Sequence, residues 1–234
     1  MFRTLALLVF SSLLATHSSF AAKPNALTSA EKADGFKLMF DGKALEGFRN
    51  FKKEGVDSRW VAEKGALTLT GRGGGNLVTE KRYKDFEFRF EFRISAGGNS
   101  GILWHSLETR KAPHTTGPEY QILDSFSKTA YQTEIAKGNV SGALYDLIPT
   151  KPGLSRPAGE WNTGVIRVQG SRIRLEVNGT ITADVDTTTE EWKAILAKSK
   201  FAKQPLFNSA PEGYIVFQDH GNQVSFRTLR IREL

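Results

Sequence analysis

The sharpest pattern in the chain lies at Asp85–Ile94, where Phe86, Phe88, Phe90, Phe92 and Ile94 alternate with Glu87, Arg89, Glu91 and Arg93. Successive side chains of an extended backbone point to opposite faces, so this period of two predicts a strand with one dry face and one wet face. Further strands are predicted at 66–70, 101–107, 119–123, 164–169, 173–178, 214–219 and 224–231, set apart by Gly, Asn or Pro. Phe36, Leu38 and Phe40 alternate ahead of the turn signal Asp41-Gly42. Short strands repeated between turn signals predict an antiparallel sandwich or barrel.

Two segments follow helical rules instead. Thr28-Ser29-Ala30-Glu31 has capping-box spacing, which predicts a turn or two of helix reaching Ala33 before Gly35 stops it. Thr189 is placed to cap a helix over 190–200, with Glu190 and Glu191 in its first turn and Trp192, Ile195 and Leu196 as an apolar stripe. Trp192 reads as a core anchor. No repeat, low-complexity tract or long linker divides residues 22–234, so one domain is expected there.

The first 21 residues read as a secretory signal. Arg3 supplies a positive start, Leu5 to Leu14 an apolar run, and Ser19-Phe20-Ala21 a small-x-small cleavage site before Ala22. The run is too short to span a bilayer as an uncleaved anchor. An exported protein, periplasmic or secreted, is therefore expected, with no stable membrane insertion after cleavage.

Composition changes the picture in two ways. The chain carries 32 Lys and Arg against 25 Asp and Glu, a net charge of +7, but the basic residues around Lys81–Arg93 are interleaved with Glu80, Asp85, Glu87 and Glu91. Mixed signs describe a solvated face rather than a nucleic-acid patch. The absence of cysteine removes disulfides, thiolate metal sites, cysteine nucleophiles and lipoprotein lipidation. With 16 Phe, 5 Tyr and 4 Trp there is enough apolar surface for a core and for rings that line a ligand face.

Familiar catalytic signatures are missing. There is no phosphate-binding glycine loop and no G-x-S-x-G elbow, and Gly71–Gly75 does not lead into a predicted helix. Beyond the signal only His105, His114 and His220 remain, none at metal-motif spacing. No calcium-type spacing is present either, so no metal site and no cofactor is predicted. What does stand out is polar residues on strands with apolar neighbours. In Glu119-Tyr120-Gln121-Ile122-Leu123-Asp124 the alternation projects Glu119 and Gln121 together, with Asp124 on the other parity unless a bulge or the strand end redirects it. Gln218 and His220 share a side near the end of another strand, where imidazole can act as acid, base or oxyanion donor. Asn99-Ser100-Gly101 precedes Trp104 and His105, a mix of amide, hydroxyl and ring suited to a sugar; Tyr145 and Trp161-Asn162 are of the same kind.

These residues carry a resemblance. Phe36-Lys37-Leu38-Met39-Phe40-Asp41-Gly42-Lys43, Asp85-Phe86 with Glu91-Phe92-Arg93, Gly98-Asn99-Ser100-Gly101-Ile102, Glu119 to Asp124, Gly142-Ala143-Leu144-Tyr145, Glu160-Trp161-Asn162, Asn178-Gly179, Gln218-Asp219-His220-Gly221 and Phe226-Arg227 together resemble the 3-keto-disaccharide hydrolase family. The resemblance implies an all-β, concanavalin A-like jelly-roll of two antiparallel sheets with one or two short helices. It implies activity on glycosides oxidised to a ketone at the third sugar carbon. By that carry-over Glu119, Gln121, Gln218 and His220 line a cleft, with Asn99, Arg93 and Tyr145 nearby. Trp104-His105 stands where the family often has an arginine, and Leu45-Glu46-Gly47-Phe48 where many members end in tryptophan.

The implied chemistry is proton abstraction beside the ketone, elimination of the glycosidic oxygen, and hydration of the enone. It needs a base (Glu119 or Asp124), an acid or enolate stabiliser (His220), and orienting groups (Gln121, Gln218). Two other readings fit the same residues. One is a two-carboxylate glycosidase using Glu119 and Asp124; the other is a non-catalytic, lectin-like sugar-binding module. A carboxyl with a raised pKa in the cleft would favour an enzyme.

Overall fold

The computed structural model describes residues 23–234, so the expected signal segment lies outside the described residues. In chain order the elements are α1 (Ser29–Ala33), β1 (Lys37–Leu38), β2 (Phe48–Asn50), β3 (Trp60–Glu63), β4 (Ala66–Leu69), β5 (Leu77–Tyr83), β6 (Phe86–Ile94), β7 (Asn99–Ser106) and β8 (Glu119–Leu123). They continue with α2 (Gln132–Ala136), β9 (Asn162–Gln169), β10 (Arg172–Val177), β11 (Thr180–Asp186), α3 (Glu190–Lys198), β12 (Gly213–Phe217) and β13 (Val224–Glu233). One sheet runs β11-β10-β9-β6-β13-β4-β3 with β1 added on β13; the other runs β2-β5-β12-β7-β8. Every strand pair is antiparallel, which makes the molecule a two-sheet sandwich, one of the two forms the alternation predicts and the jelly-roll that the resemblance implies.

The core is the phenylalanine face of β6 closed by the second sheet. Phe90 meets Tyr120 edge-on at 5.2 Å, and Phe88 meets Phe217 at 6.3 Å. Phe217 in turn contacts Phe48 at 5.8 Å and Phe226 at 5.0 Å, so rings tie β6 and β13 of one sheet to β2, β8 and β12 of the other. The other face of β6 is an ion-pair lattice. Glu87 is almost fully buried there and receives Arg89, Arg167 and Arg232; burial opposes its charge, yet the Arg232 and Arg89 guanidiniums hold its carboxyl below the usual range.

Both predicted helices form. Thr28 Oγ1 accepts from Glu31 N–H at 3.2 Å while the Glu31 carboxylate accepts from Thr28 N–H at 2.9 Å, which completes the capping box. Thr189 Oγ1 accepts from Trp192 N–H at 3.2 Å, and Trp192 is buried in the core as expected. The remaining differences have local causes. β1, β2 and β3 are two to four residues long, too short for a visible period. β5 opens with Leu77 and Val78 both buried, because Val78 joins Leu103 and Val216 in a small apolar cluster on the outer side of its sheet. β11 is a largely exposed sheet edge, and α2 carries no buried residue.

Candidate functional site

The five-stranded sheet brings three of its neighbouring strands together to make one polar cleft. On β8 the alternation holds: Tyr120 and Ile122 go into the core, Tyr120 Oη donating to Glu176 C=O at 3.0 Å, while Glu119 and Gln121 face the other way. The register of β7 sets Gly101 opposite Gln121 and Asn99 opposite Leu123, so the Gln121 amide donates to Asn99 Oδ1 at 3.1 Å. Gly101 is glycine for a steric reason, since a Cβ at that position would overlap the Glu119 carboxyl group. Past the end of β12, Gln218 N–H donates to Gly101 C=O at 2.9 Å, which aligns the Gln218 side chain with Glu119.

The resulting cleft, about 320 Å³, is lined by Asn99, Glu119, Gln121, Tyr145, Gln218 and His220 among the expected residues. It is also lined by Asn76, His114, Lys200 and Asp219, which the strand pattern did not single out. Glu119 is 4% exposed. Burial pushes its carboxyl up to about 8, against the opposing pull of the Lys200 charge and a hydrogen bond from Gln218. The Gln218 side-chain Oε1 is buried with no hydrogen-bond partner. Burial, reinforced by the Glu134 and Glu119 carboxyls, drives the Tyr145 hydroxyl well above its ordinary range. His220 is exposed at the mouth, its Nδ1 3.1 Å from Tyr131 Oη and its ring edge-on to that tyrosine at 5.6 Å.

The glycine run finds its purpose here. Gly73 and Gly75 N–H donate to Asp219 Oδ2 at 3.1 and 2.8 Å, and Asn76 Oδ1 accepts from Asp219 N–H at 2.9 Å. Both glycines have positive φ, 96° and 68°, so the loop reaches Asp219 through a conformation that other residues disfavour. The run is a clamp on the segment that carries His220.

Four expected site residues lie elsewhere. Asp124 stays on the opposite parity and is clasped by backbone: Gly97 N–H donates to its Oδ2 at 2.8 Å, and Phe126 N–H to its Oδ1 at 3.0 Å. Burial works against its charge, but these bonds hold the carboxyl below its usual range, so it serves the loops. Trp104 is fully buried between the sheets. His105 takes a left-handed φ of 50°, which breaks the alternation of β7 and turns its ring toward Phe86 and the Lys84 carbonyl, 2.7 Å from Nε2. Arg93 lies on the outer face of the eight-stranded sheet, its guanidinium 4.8 Å over the Trp161 ring. Trp161 is also covered by Arg227 at 4.0 Å, and Asn162 is buried as a partner for Arg156 and Asn178. α3 ends at Lys198, so Lys200, the last residue of the helix expected over 190–200, reaches the cleft from the turn beyond it, and Tyr131, the N-cap of α2, meets His220 at the mouth.

Comparison with known proteins adds an independent line. The 3-keto-alpha-glucoside-1,2-lyase-like domain family matches residues 35–232. A Bacteroides thetaiotaomicron protein named 3-keto-disaccharide hydrolase is 31% identical over 242 aligned positions, covering 92% of this chain and 83% of that protein. Among solved structures, a Parabacteroides distasonis protein named as a candidate glycosyl hydrolase is 31% identical, covers 91% of this chain and all of its own, and superposes with a TM-score of 0.80. A second such protein of the same organism, 23% identical over 85% of this chain and 99% of its own, superposes at 0.66 and supports the fold. With the match running through both sheets and every strand of the cleft, the chain belongs to the 3-keto-alpha-glucoside-1,2-lyase-like family and, with it, to the glycoside-cleaving enzymes.

Proposed function

We propose that this protein cleaves 3-keto-glycosides, 3-keto-disaccharides among them, by elimination followed by hydration, with Glu119 as the base. The observation that carries this reading is a single buried carboxyl with its pKa raised to about 8, set among amides in an open cleft. A ketone at the third sugar carbon acidifies the hydrogen on the second. Ionised Glu119 takes that proton, the electron pair forms an enolate, and the pair returns to expel the glycosidic oxygen from the first carbon as an enone forms. A carboxylate whose pKa lies near 8 is a stronger base than an ordinary one, which suits a carbon acid. His220, backed by Tyr131, stands at the mouth to give a proton to the departing oxygen. Water then adds its hydroxyl to the first carbon and a proton to the second, so the sum is hydrolysis. Gln121, braced on Asn99, and Gln218 orient the sugar.

The clasped, ionised Asp124 supports Glu119 as the base and argues against a two-carboxylate glycosidase. The test compares a 3-keto-disaccharide with its unoxidised parent. Wild type should release the second sugar from the keto form alone, and Glu119→Gln and His220→Ala should each lose about 10²-fold or more in rate. Equal cleavage of the parent would replace the reading with an ordinary glycosidase, and binding without turnover would replace it with a lectin-like module.

We also propose that the protein is exported by its first 21 residues, a reading supported by Arg3, the apolar run and the Ser19-Phe20-Ala21 site. N-terminal sequencing of protein recovered from the periplasm or medium should begin at Ala22; recovery only as the full-length cytoplasmic chain would refute it.

A further inference from the structure

Elimination beside a ketone leaves one requirement unassigned, a positive charge to meet the oxygen that becomes an enolate. Among the described residues lining the cleft, Lys200 is the lysine or arginine present. We propose that the Lys200 ammonium stabilises the enolate oxygen while Glu119 holds the abstracted proton; the proposal rests on the reading of Glu119 as base.

The geometry has three parts. First, the backbone of Lys200 is fixed although its side chain is long. Its N–H donates to Asp146 Oδ2 at 2.8 Å, and the next residue, Phe201, is buried and stacked on Phe207 at 4.0 Å and 11°. Ser199, the C-cap of α3, adds a hydrogen bond from Phe201 N–H to its hydroxyl at 3.1 Å. Second, the ammonium is directed over the Tyr145 ring at 3.9 Å, a cation–π seat on the wall of the cleft. Third, the ammonium has Glu119 in the cleft and Asp146 and Glu134 outside its lining as charge neighbours, and its Nζ makes no hydrogen bond to any of their carboxylates, so its donors remain free for a ligand.

The electrostatics favour this role. Before reaction Lys200 faces the Glu119 carboxylate. When the proton moves, Glu119 becomes neutral and the negative charge reappears on the ketone oxygen of the bound sugar. The transfer itself leaves the cleft's net charge unchanged, and the fixed ammonium that faced the carboxylate is left to pair with the enolate oxygen. Partial burial and the neighbouring rings raise the worth of that attraction over its value in water. His114, which also lines the cleft, is pushed down by burial and by Lys200, so it adds no competing cation at neutral pH.

Lys200→Met and Lys200→Arg, each checked for an unchanged circular dichroism spectrum and Tm, test the proposal with the 3-keto-disaccharide as substrate and the unoxidised parent as competitive inhibitor. The unoxidised parent never carries the enolate charge, so loss of the cation should move kcat and leave the parent's binding alone. Lys200→Met should therefore lose about 10²-fold or more in kcat while the parent's inhibition constant changes less than about threefold, and Lys200→Arg should recover part of the rate. A wild-type rate in Lys200→Met overturns the proposal and leaves Glu119 as base. Weakened parent binding in step with kcat would also overturn it, making Lys200 a hydroxyl ligand. A keto-sugar adduct trapped by borohydride on wild type but absent from Lys200→Met would overturn it too, because Lys200 would then form a covalent iminium. Failure of wild type to cleave the keto sugar at all removes the reading beneath it.

Discussion

Two carboxyls five residues apart in one segment, Glu119 and Asp124, end in opposite states for reasons that lie wholly in their surroundings. Glu119 faces a cleft where burial outweighs one amide bond and the charge of Lys200, and its pKa rises to about 8. Asp124 is equally out of solvent, but backbone amides from two loops converge on it and keep it ionised. The ionised form of Glu119 is the working base. The kcat/KM for a 3-keto-disaccharide should rise with pH as Glu119 ionises toward about 8, as read from the rising limb of a full pH–rate profile; absence of a rising limb would count against Glu119 as base. Stability should run the other way. A carboxyl whose folded pKa stands above its ordinary 4.5 makes the native state bind more protons, so stability falls as pH rises between about 4.5 and 8. Glu119→Gln should remove that slope, which denaturant unfolding at several pH values will show.

At the scale of elements, a period of two is legible when the whole strand keeps it. β6 and β8 do, which is why the phenylalanine face and the Glu119–Gln121 pair could be read directly from the sequence. β7 does not: the left-handed φ at His105 changes the face of the chain, and β12, its neighbour, carries a register shift between Tyr214 and Val216 at the same level. His105 therefore leaves the sugar-facing side that its sequence neighbours suggested, whereas Trp104 keeps the parity of Ile102 and goes with it into the core. The close fit of β7 beside β8 yields a prediction. Gly101→Ala places a methyl group where the Glu119 carboxyl sits, so the strand pair should persist while the base is displaced. A displacement near 1 Å costs about 10²-fold in rate. The expected result is a folded protein with that loss in kcat, and unaltered kcat would show that Glu119 can move aside.

The whole molecule is held by rings that cross between the sheets. Phe217 on β12 contacts Phe48 on its own sheet and Phe88 and Phe226 on the other, and it lies directly before Gln218, so core and cleft share one short segment. Phe217→Ala should destabilise by about 3–5 kcal/mol, measured by denaturant unfolding. A cost under about 1 kcal/mol would mean that the sandwich does not depend on this contact. Local chemistry determined a good deal unaided: the capping box of α1, the capped α3 with its buried Trp192, the all-β architecture, and the shared face of Glu119 and Gln121. Each follows from steric or hydrogen-bonding rules that act within a few residues. Which polar residues meet was decided only in three dimensions. The loop lysine Lys200, the Gly73–Gly75 clamp on Asp219 and the Tyr131 partner of His220 are brought to the cleft by long-range pairing. Arg93, Trp104, His105 and Asp124 are held away from it by the opposite sheet, the core, one left-handed residue and a ring of backbone amides. Periodicity fixes the face a residue takes on its own strand, whereas burial, register and backbone sign depend on neighbours that only the folded chain supplies.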